Sequence, residues 1–178
     1  MPKGYTGTKT DEKDRDTWRT PSQVFASLNA EFMFTCDVAA SDQNHLVVPY
    51  LTAEKDALNP HTLWGAVNWC NPPYSDVMPW VRRAFDEKLR GNTTVMLLPA
   101  DTSTQWFRLA WDSCNDVRLI TGRLSFIHNS SGKPVSGNNK GSVIFIWRGN
   151  APCSVKSIIM QDRESLDVGQ ICARSLDG

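Results

Sequence analysis

Past a polar opening stretch, apolar positions recur along the chain at regular spacings. Val24, Phe25 and Leu28 share one helical face, and Thr20-Pro21 ahead of them reads as an N-cap followed by a first-turn proline. Phe32 to Val38 (FMFTCDV) suits a buried strand ending at an acid. Ala66 to Cys70 (AVNWC) suits a second short strand that runs into Asn71-Pro72-Pro73-Tyr74. Trp80, Val81, Ala84, Phe85 and Leu89 repeat every three to four residues, which predicts a helix closed by Gly91. The alternation then repeats, with a strand over Thr94 to Leu98 and a helix over Gln105 to Cys114 that turns Trp106, Leu109 and Ala110 inward. Val117 to Ile120 and Ser142 to Trp147 read as later strands around a Gly/Asn/Ser-rich loop, His128 to Gly141. Short apolar strands alternating with helices predict an α/β fold whose mostly parallel sheet is covered on both faces. Ligands of such sheets bind beyond the carboxyl ends of the strands, where Asp37 and Asn71 both fall.

The chain has 178 residues, 40% of them hydrophobic and seven of them tryptophan, enough for one domain with a real core. The expected organisation is a mobile N-terminal arm (1–15), one domain (16–150) and a partly ordered C-terminal tail (151–178). No apolar run approaches the roughly 20 residues that span a bilayer, and the polar start lacks a signal peptide's apolar stretch. The five cysteines form no CxxC pair, and His45, His61 and His128 share no ligand-like spacing with them. These features predict no membrane association, no metal site, no disulfide framework and a reducing, cytoplasmic setting. The net charge of zero is unevenly spread. Residues 117–161 carry Arg118, Arg123, Lys133, Lys140, Arg148 and Lys156 without one carboxylate, either solvated surface or, as we read it, a phosphate-facing one.

Asn71-Pro72-Pro73-Tyr74 bears the chemistry. An exocyclic amine on a nucleobase is a poor nucleophile because its lone pair is delocalised into the ring. Two acceptors aimed at its N–H groups, the Asn71 side-chain oxygen and the Pro72 carbonyl, favour a pyramidal nitrogen. The prolines restrict the backbone and contribute no competing N–H. Asn71 has no useful basicity, so catalysis would rest on positioning and fixed dipoles. Tyr74 offers a flat face to a base swung out of its duplex. The same geometry serves adenine N6, cytosine N4 or a protein glutamine amide, and a catalytically inactive DNA-binding protein is a further alternative. No GxGxxG turn is present for a dinucleotide oxidoreductase.

The ordered set DTWRTP (16–21), FTCDVAAS (34–41), YLTAEKDAL (50–58), VNWCNPPYS (67–75) and GRLSF (122–126) resembles the phage-type DNA N6-adenine methyltransferases. The resemblance implies a single Rossmann-like methyltransferase domain with an antiparallel last strand, S-adenosylmethionine as methyl donor and double-stranded DNA as partner. It also implies a monomer or weak homodimer in the host cytoplasm if phage-encoded. Carried over by position, Asp37 with Ala39 would hold the methionine part of the cofactor. Trp18, Thr20 and Pro21 would cover its carboxylate, and Asp56 or Glu54 would bind the adenosine half. Arg123, Lys133 and Lys140 are the candidate DNA contacts. One departure is the loop Asp37-Val38-Ala39-Ala40-Ser41, which lacks the glycines usual in this class.

Overall fold

Both faces of the sheet's central strands are buried, which explains why these strands read as unbroken apolar runs rather than alternating ones. The computed structural model describes residues 16, 18–128, 132–134, 140–152 and 156–166. The arm 1–15, most of the 128–141 loop and the tail beyond 166 lie outside the described residues. In chain order the elements are α1 (Ser22–Phe32), β1 (Cys36–Asp37), β2 (Val67–Cys70), α2 (Met78–Leu89), β3 (Thr93–Pro99), α3 (Gln105–Ser113), β4 (Asp116–Thr121), β5 (Ser142–Trp147) and β6 (Ser157–Asp162). The strands lie in the order β1-β2-β3-β5-β4-β6. Parallel pairing joins β1 to β2, β2 to β3 and β4 to β6, while β5 runs antiparallel to both β3 and β4. This is the expected Rossmann-like α/β arrangement.

Period-two alternation divides the core. Met96, Leu98, Val143, Phe145 and Trp147 face α2 and α3, meeting Val81, Ala84, Phe107 and Ala110. Val95, Leu97, Ile144 and Ile146 face the other way, toward Val24, Phe25 and Leu28 of α1 and toward Phe126. α3 carries a side-chain cap, with Phe107 N donating to Thr104 Oγ1 at 3.3 Å.

Several expectations need correction. Pro21, not Thr20, occupies the N-cap of α1, and no side chain caps that helix. The FMFTCDV run is not one strand. α1 continues through Phe32, Met33 takes a left-handed conformation (φ 52°), and strand geometry is confined to Cys36–Asp37. Asn29 makes this stop, accepting from Met33 N at its carbonyl and from Phe34 N at its side chain, both at 2.9 Å. Leu89 projects from the last turn of α2 and is 67% exposed. In α3, Phe107 and Ala110 are the buried positions, and Trp106 and Leu109 only pack partly against them. β5 is antiparallel but not last, because β6 follows it at the sheet edge with Ile158, Ile159 and Met160 exposed.

The turn after α2 packs against the end of β5 with almost no clearance. Gly91 has φ 93°, and a Cβ placed on Gly149 would lie 1.9 Å from the Gly91 carbonyl oxygen. Gly149→Ala should therefore destabilise the protein by about 1–3 kcal/mol through overpacking. Leu89→Ala, at an exposed site, should change stability by no more than about 0.5 kcal/mol. Urea unfolding of both variants checks the contrast.

Candidate active site

Parallel pairing sends β1 and β2 to the same edge of the sheet, with Asp37 opposite Trp69 and Asn71 immediately beyond Cys70. The chain after β1 folds back along it. Asp37 N donates to Pro49 O (3.1 Å), Leu51 N to Asp37 O (2.8 Å) and Ala40 N to Leu51 O (3.0 Å). The glycine-free loop is thus held by its backbone and needs no left-handed residue between Asp37 and Ser41.

A cavity of about 350 Å³ opens at this edge, and Trp18, Thr20, Asp37, Ala39, Asp56, Asn71 and Pro73 all line it. Asp37 is 3% exposed. Its carboxylate accepts from Leu46 N (3.1 Å) and more weakly from Ala39 N (3.4 Å). Burial pushes its pKa up to about 6, opposed by those two N–H groups and by His45. Two further buried groups, Trp18 Nε1 and Thr20 Oγ1, have no hydrogen-bond partner among the described residues. An unsatisfied buried donor costs about 1–3 kcal/mol, and both residues line this cavity.

Asn71 is oriented from both ends of its carboxamide. Nδ2 donates to Trp18 O at 3.3 Å, and Oδ1 accepts from the Tyr74 hydroxyl at 3.0 Å. That hydroxyl also lies 3.4 Å from Leu97 O, and burial raises the phenol well above its ordinary range. The Tyr74 ring meets Phe126 edge-on. Asp16 and residues 18–20 lie across this turn as a strap. Asp16 Oδ1 accepts from Ser75 N (3.0 Å), and Arg19 exchanges backbone hydrogen bonds with Ile127 at 2.9 and 3.0 Å.

Other candidates fall elsewhere. Pro72 is buried, and neither it nor Tyr74 lines the cavity. Of the two acids proposed together, Asp56 lines it from a left-handed turn (φ 45°), whereas Glu54 is exposed on the short helical turn Ala53–Lys55 and does not. Pro21 lines a neighbouring cleft with Ser22, Gln23 and Arg163. Arg123 and Lys133 are exposed, but Lys140 is ion-paired with Asp101 and holds that carboxyl below its usual range. Arg118 and Arg148 are likewise paired, with Glu31 and Asp116. At least three of the acid-free stretch's six cations are therefore already paired with carboxylates distant in sequence. The sequence reading missed Asp16, Arg19, Asn44, Leu46, Leu58 and Trp80 as lining residues. Asp16 and Arg19 lay within DTWRTP, Leu58 within YLTAEKDAL and Trp80 in the α2 apolar stripe, whereas Asn44 and Leu46 carried no signal. Among the described residues, no cluster of three or more His, Cys, Asp or Glu could hold a metal, and no helix is long and apolar enough to cross a membrane.

Comparison with known proteins adds an independent line. The family described as DNA N-6-adenine-methyltransferase (Dam) matches residues 7–171. A protein of Escherichia phage T1 named DNA N-6-adenine-methyltransferase is 35% identical over 186 aligned residues, covering 94% of this chain and 75% of the relative. A protein of the same name from Haemophilus phage HP1 is 34% identical over 172, covering 93% and 98%.

The raised pKa of Asp37 has a stability consequence. Its folded value of about 6 exceeds the ordinary 3.8, so the buried charge opposes folding fully above about pH 6. That opposition, about 3 kcal/mol, disappears as pH falls toward 4. Asp37→Asn should therefore be more stable than the parent at pH 8, and no more stable at pH 4. Denaturant titrations at the two pH values, without ligand, check this.

Proposed function

This chain belongs to the DNA N-6-adenine-methyltransferase (Dam) family, and from that premise we propose that it transfers the methyl group of S-adenosylmethionine to N6 of adenine in double-stranded DNA, using the cavity beside Asp37 and the Asn71-Pro72-Pro73-Tyr74 turn. The observation that carries the residue assignments is the meeting of a buried carboxylate, two buried polar groups without partners among the described residues, and Asn71 around one cavity.

The residues present fit the cofactor. It carries an ammonium and a carboxylate at its methionine end, and supplies an electrophilic methyl group bound to a sulfonium. The Asp37 carboxylate would pair with the ammonium. Trp18 Nε1 and the Thr20 hydroxyl, both lacking partners among the described residues, would donate to the carboxylate. Ala39 and Asp56 would complete the wall, Asp56 toward the adenosine half.

For the target base, Asn71 Oδ1 keeps a second lone pair beside the Tyr74 hydroxyl, and the Pro72 carbonyl is the other acceptor. Together they would hold the two N6–H bonds and localise the nitrogen lone pair. Two contacts fix the amide of Asn71 before any base arrives, so little reorganisation is left for the reaction. Tyr74 would then have a double role, its hydroxyl orienting Asn71 and its ring, which packs edge-on against Phe126, offering a face to the base. The family favours adenine over cytosine N4 or glutamine amide as the acceptor.

Two tests follow. Asn71→Ala should lower the rate of methyl transfer by about two to three orders of magnitude, the usual loss for one preorganised polar contact. Tyr74→Phe, which keeps the ring, should lower it about fivefold, in line with about 1 kcal/mol for the lost hydrogen bond. Cofactor affinity should stay within a few-fold in both, as single-turnover assays paired with calorimetry would measure. Activity of Asn71→Ala above a tenth of the parent's removes that residue from the mechanism. For DNA, Arg123→Ala with Lys133→Ala should flatten the dependence of log K on log salt by up to about two units. Fluorescence anisotropy at several salt concentrations gives the slopes.

A further inference from the structure

The wall of the cavity that carries Asp56 is a loop with few attachments. Its hydrogen bonds are largely its own: Trp64 Nε1 donates to Ala57 O (2.9 Å), Thr62 Oγ1 to Lys55 O (3.1 Å) and Asn59 N to Asp56 O (3.0 Å). Among the described residues, the one hydrogen-bond donor that reaches residues 53–64 from outside residues 50–64 is Arg83 of α2. Its Nη1 donates to Asn59 O at 3.1 Å and its Nη2 to Thr62 O at 2.6 Å.

Arg83 is an unusual residue to find there. It is 5% exposed, and a buried cation is costly unless paired and hydrogen-bonded. Glu87, one helical turn on and 1% exposed, meets it at 2.9 Å. Glu87 is itself held by Arg90 Nη1 and Asn92 Nδ2, both at 2.6 Å. The guanidinium also lies 5.5 Å from the centre of the Trp64 ring, which stands against Trp80, a lining residue of the cavity. A planar fork can take two carbonyls at once while stacking on a ring, and a lysine ammonium cannot reproduce that arrangement.

We propose that Arg83 is a positioning residue for the cofactor: by clamping the Asn59 and Thr62 carbonyls to α2, it sets the Asp56–Leu58 wall against which the adenosine half of S-adenosylmethionine packs. The proposal rests on the cofactor reading given above. It touches neither Asn71 nor the base, so its effect belongs in cofactor binding and not in the chemical step.

The test is Arg83→Lys in the full chain, with S-adenosylmethionine as the titrated ligand and unmethylated duplex DNA as substrate. The clamp predicts that KM and the calorimetric Kd for the cofactor rise at least about tenfold, as expected when hydrogen bonds from a charged group are lost. It predicts kcat at saturating cofactor within about twofold of the parent, and unchanged DNA affinity. A purely structural role would lower the melting temperature and the active fraction while leaving Kd alone; a folded variant with parental Kd overturns the proposal. Should Arg83→Lys give no cooperative melt, Glu87→Gln decides instead, since it removes the charge that orients the guanidinium. A severalfold rise in cofactor Kd supports the clamp, and an unchanged Kd overturns it. A parent that binds no S-adenosylmethionine overturns the cofactor reading and this proposal with it, whereas a parent that binds beside a variant that binds equally well overturns the clamp alone.

Discussion

Parallel pairing of β1 with β2 forces two chain segments more than thirty residues apart to end at the same edge of the sheet, and the arrangement of the site depends on it. The pairing itself is short, with two residues of β1 in register with Asn68 and Trp69. It holds because its surroundings are covered. Phe34 and Trp69 pack against Phe25 of α1, while Cys36 and Cys70 are buried on the opposite side with Val38. A carboxylate and a carboxamide then stand at neighbouring strand ends, and the loops that follow them enclose one cavity.

That placement opposes stability. Asp37 is a carboxylate under burial, held by only two backbone N–H groups, and Trp18 Nε1 and Thr20 Oγ1 lack partners among the described residues. Local rules are broken in this way mostly at functional sites. The strap carrying Trp18 and Thr20 also carries the carbonyl that orients Asn71. A displacement of the strap is thereby transmitted to the Asn71 carboxamide.

Much of this was legible because it is local. The Asn-Pro-Pro-Tyr turn announces itself within four residues, and β5 coincides with its apolar run. The FMF run was misread because a helix end and a strand start can share apolar residues, and the capping role of Asn29 decides between them. β6 was missed because SIIMQD sits at an edge with its apolar residues exposed, where neither periodicity nor burial marks it. The basic stretch looked uniform along the chain, yet Arg118, Lys140 and Arg148 meet carboxylates at positions 31, 101 and 116 that only the fold brings near. Arg83 carried no signal at all. In sequence it is one of two adjacent arginines on a helix, and its meaning comes from two carbonyls more than twenty residues earlier.

The central claim is that this edge of the sheet directs a methyl group to one exocyclic amine. Incubation with isotopically labelled S-adenosylmethionine and unmethylated duplex DNA, followed by digestion to nucleosides and mass analysis, tests it most directly. The account predicts label in N6-methyldeoxyadenosine and in no other nucleoside. Label in N4-methyldeoxycytidine, or none in DNA from a folded protein that binds the cofactor, would contradict it.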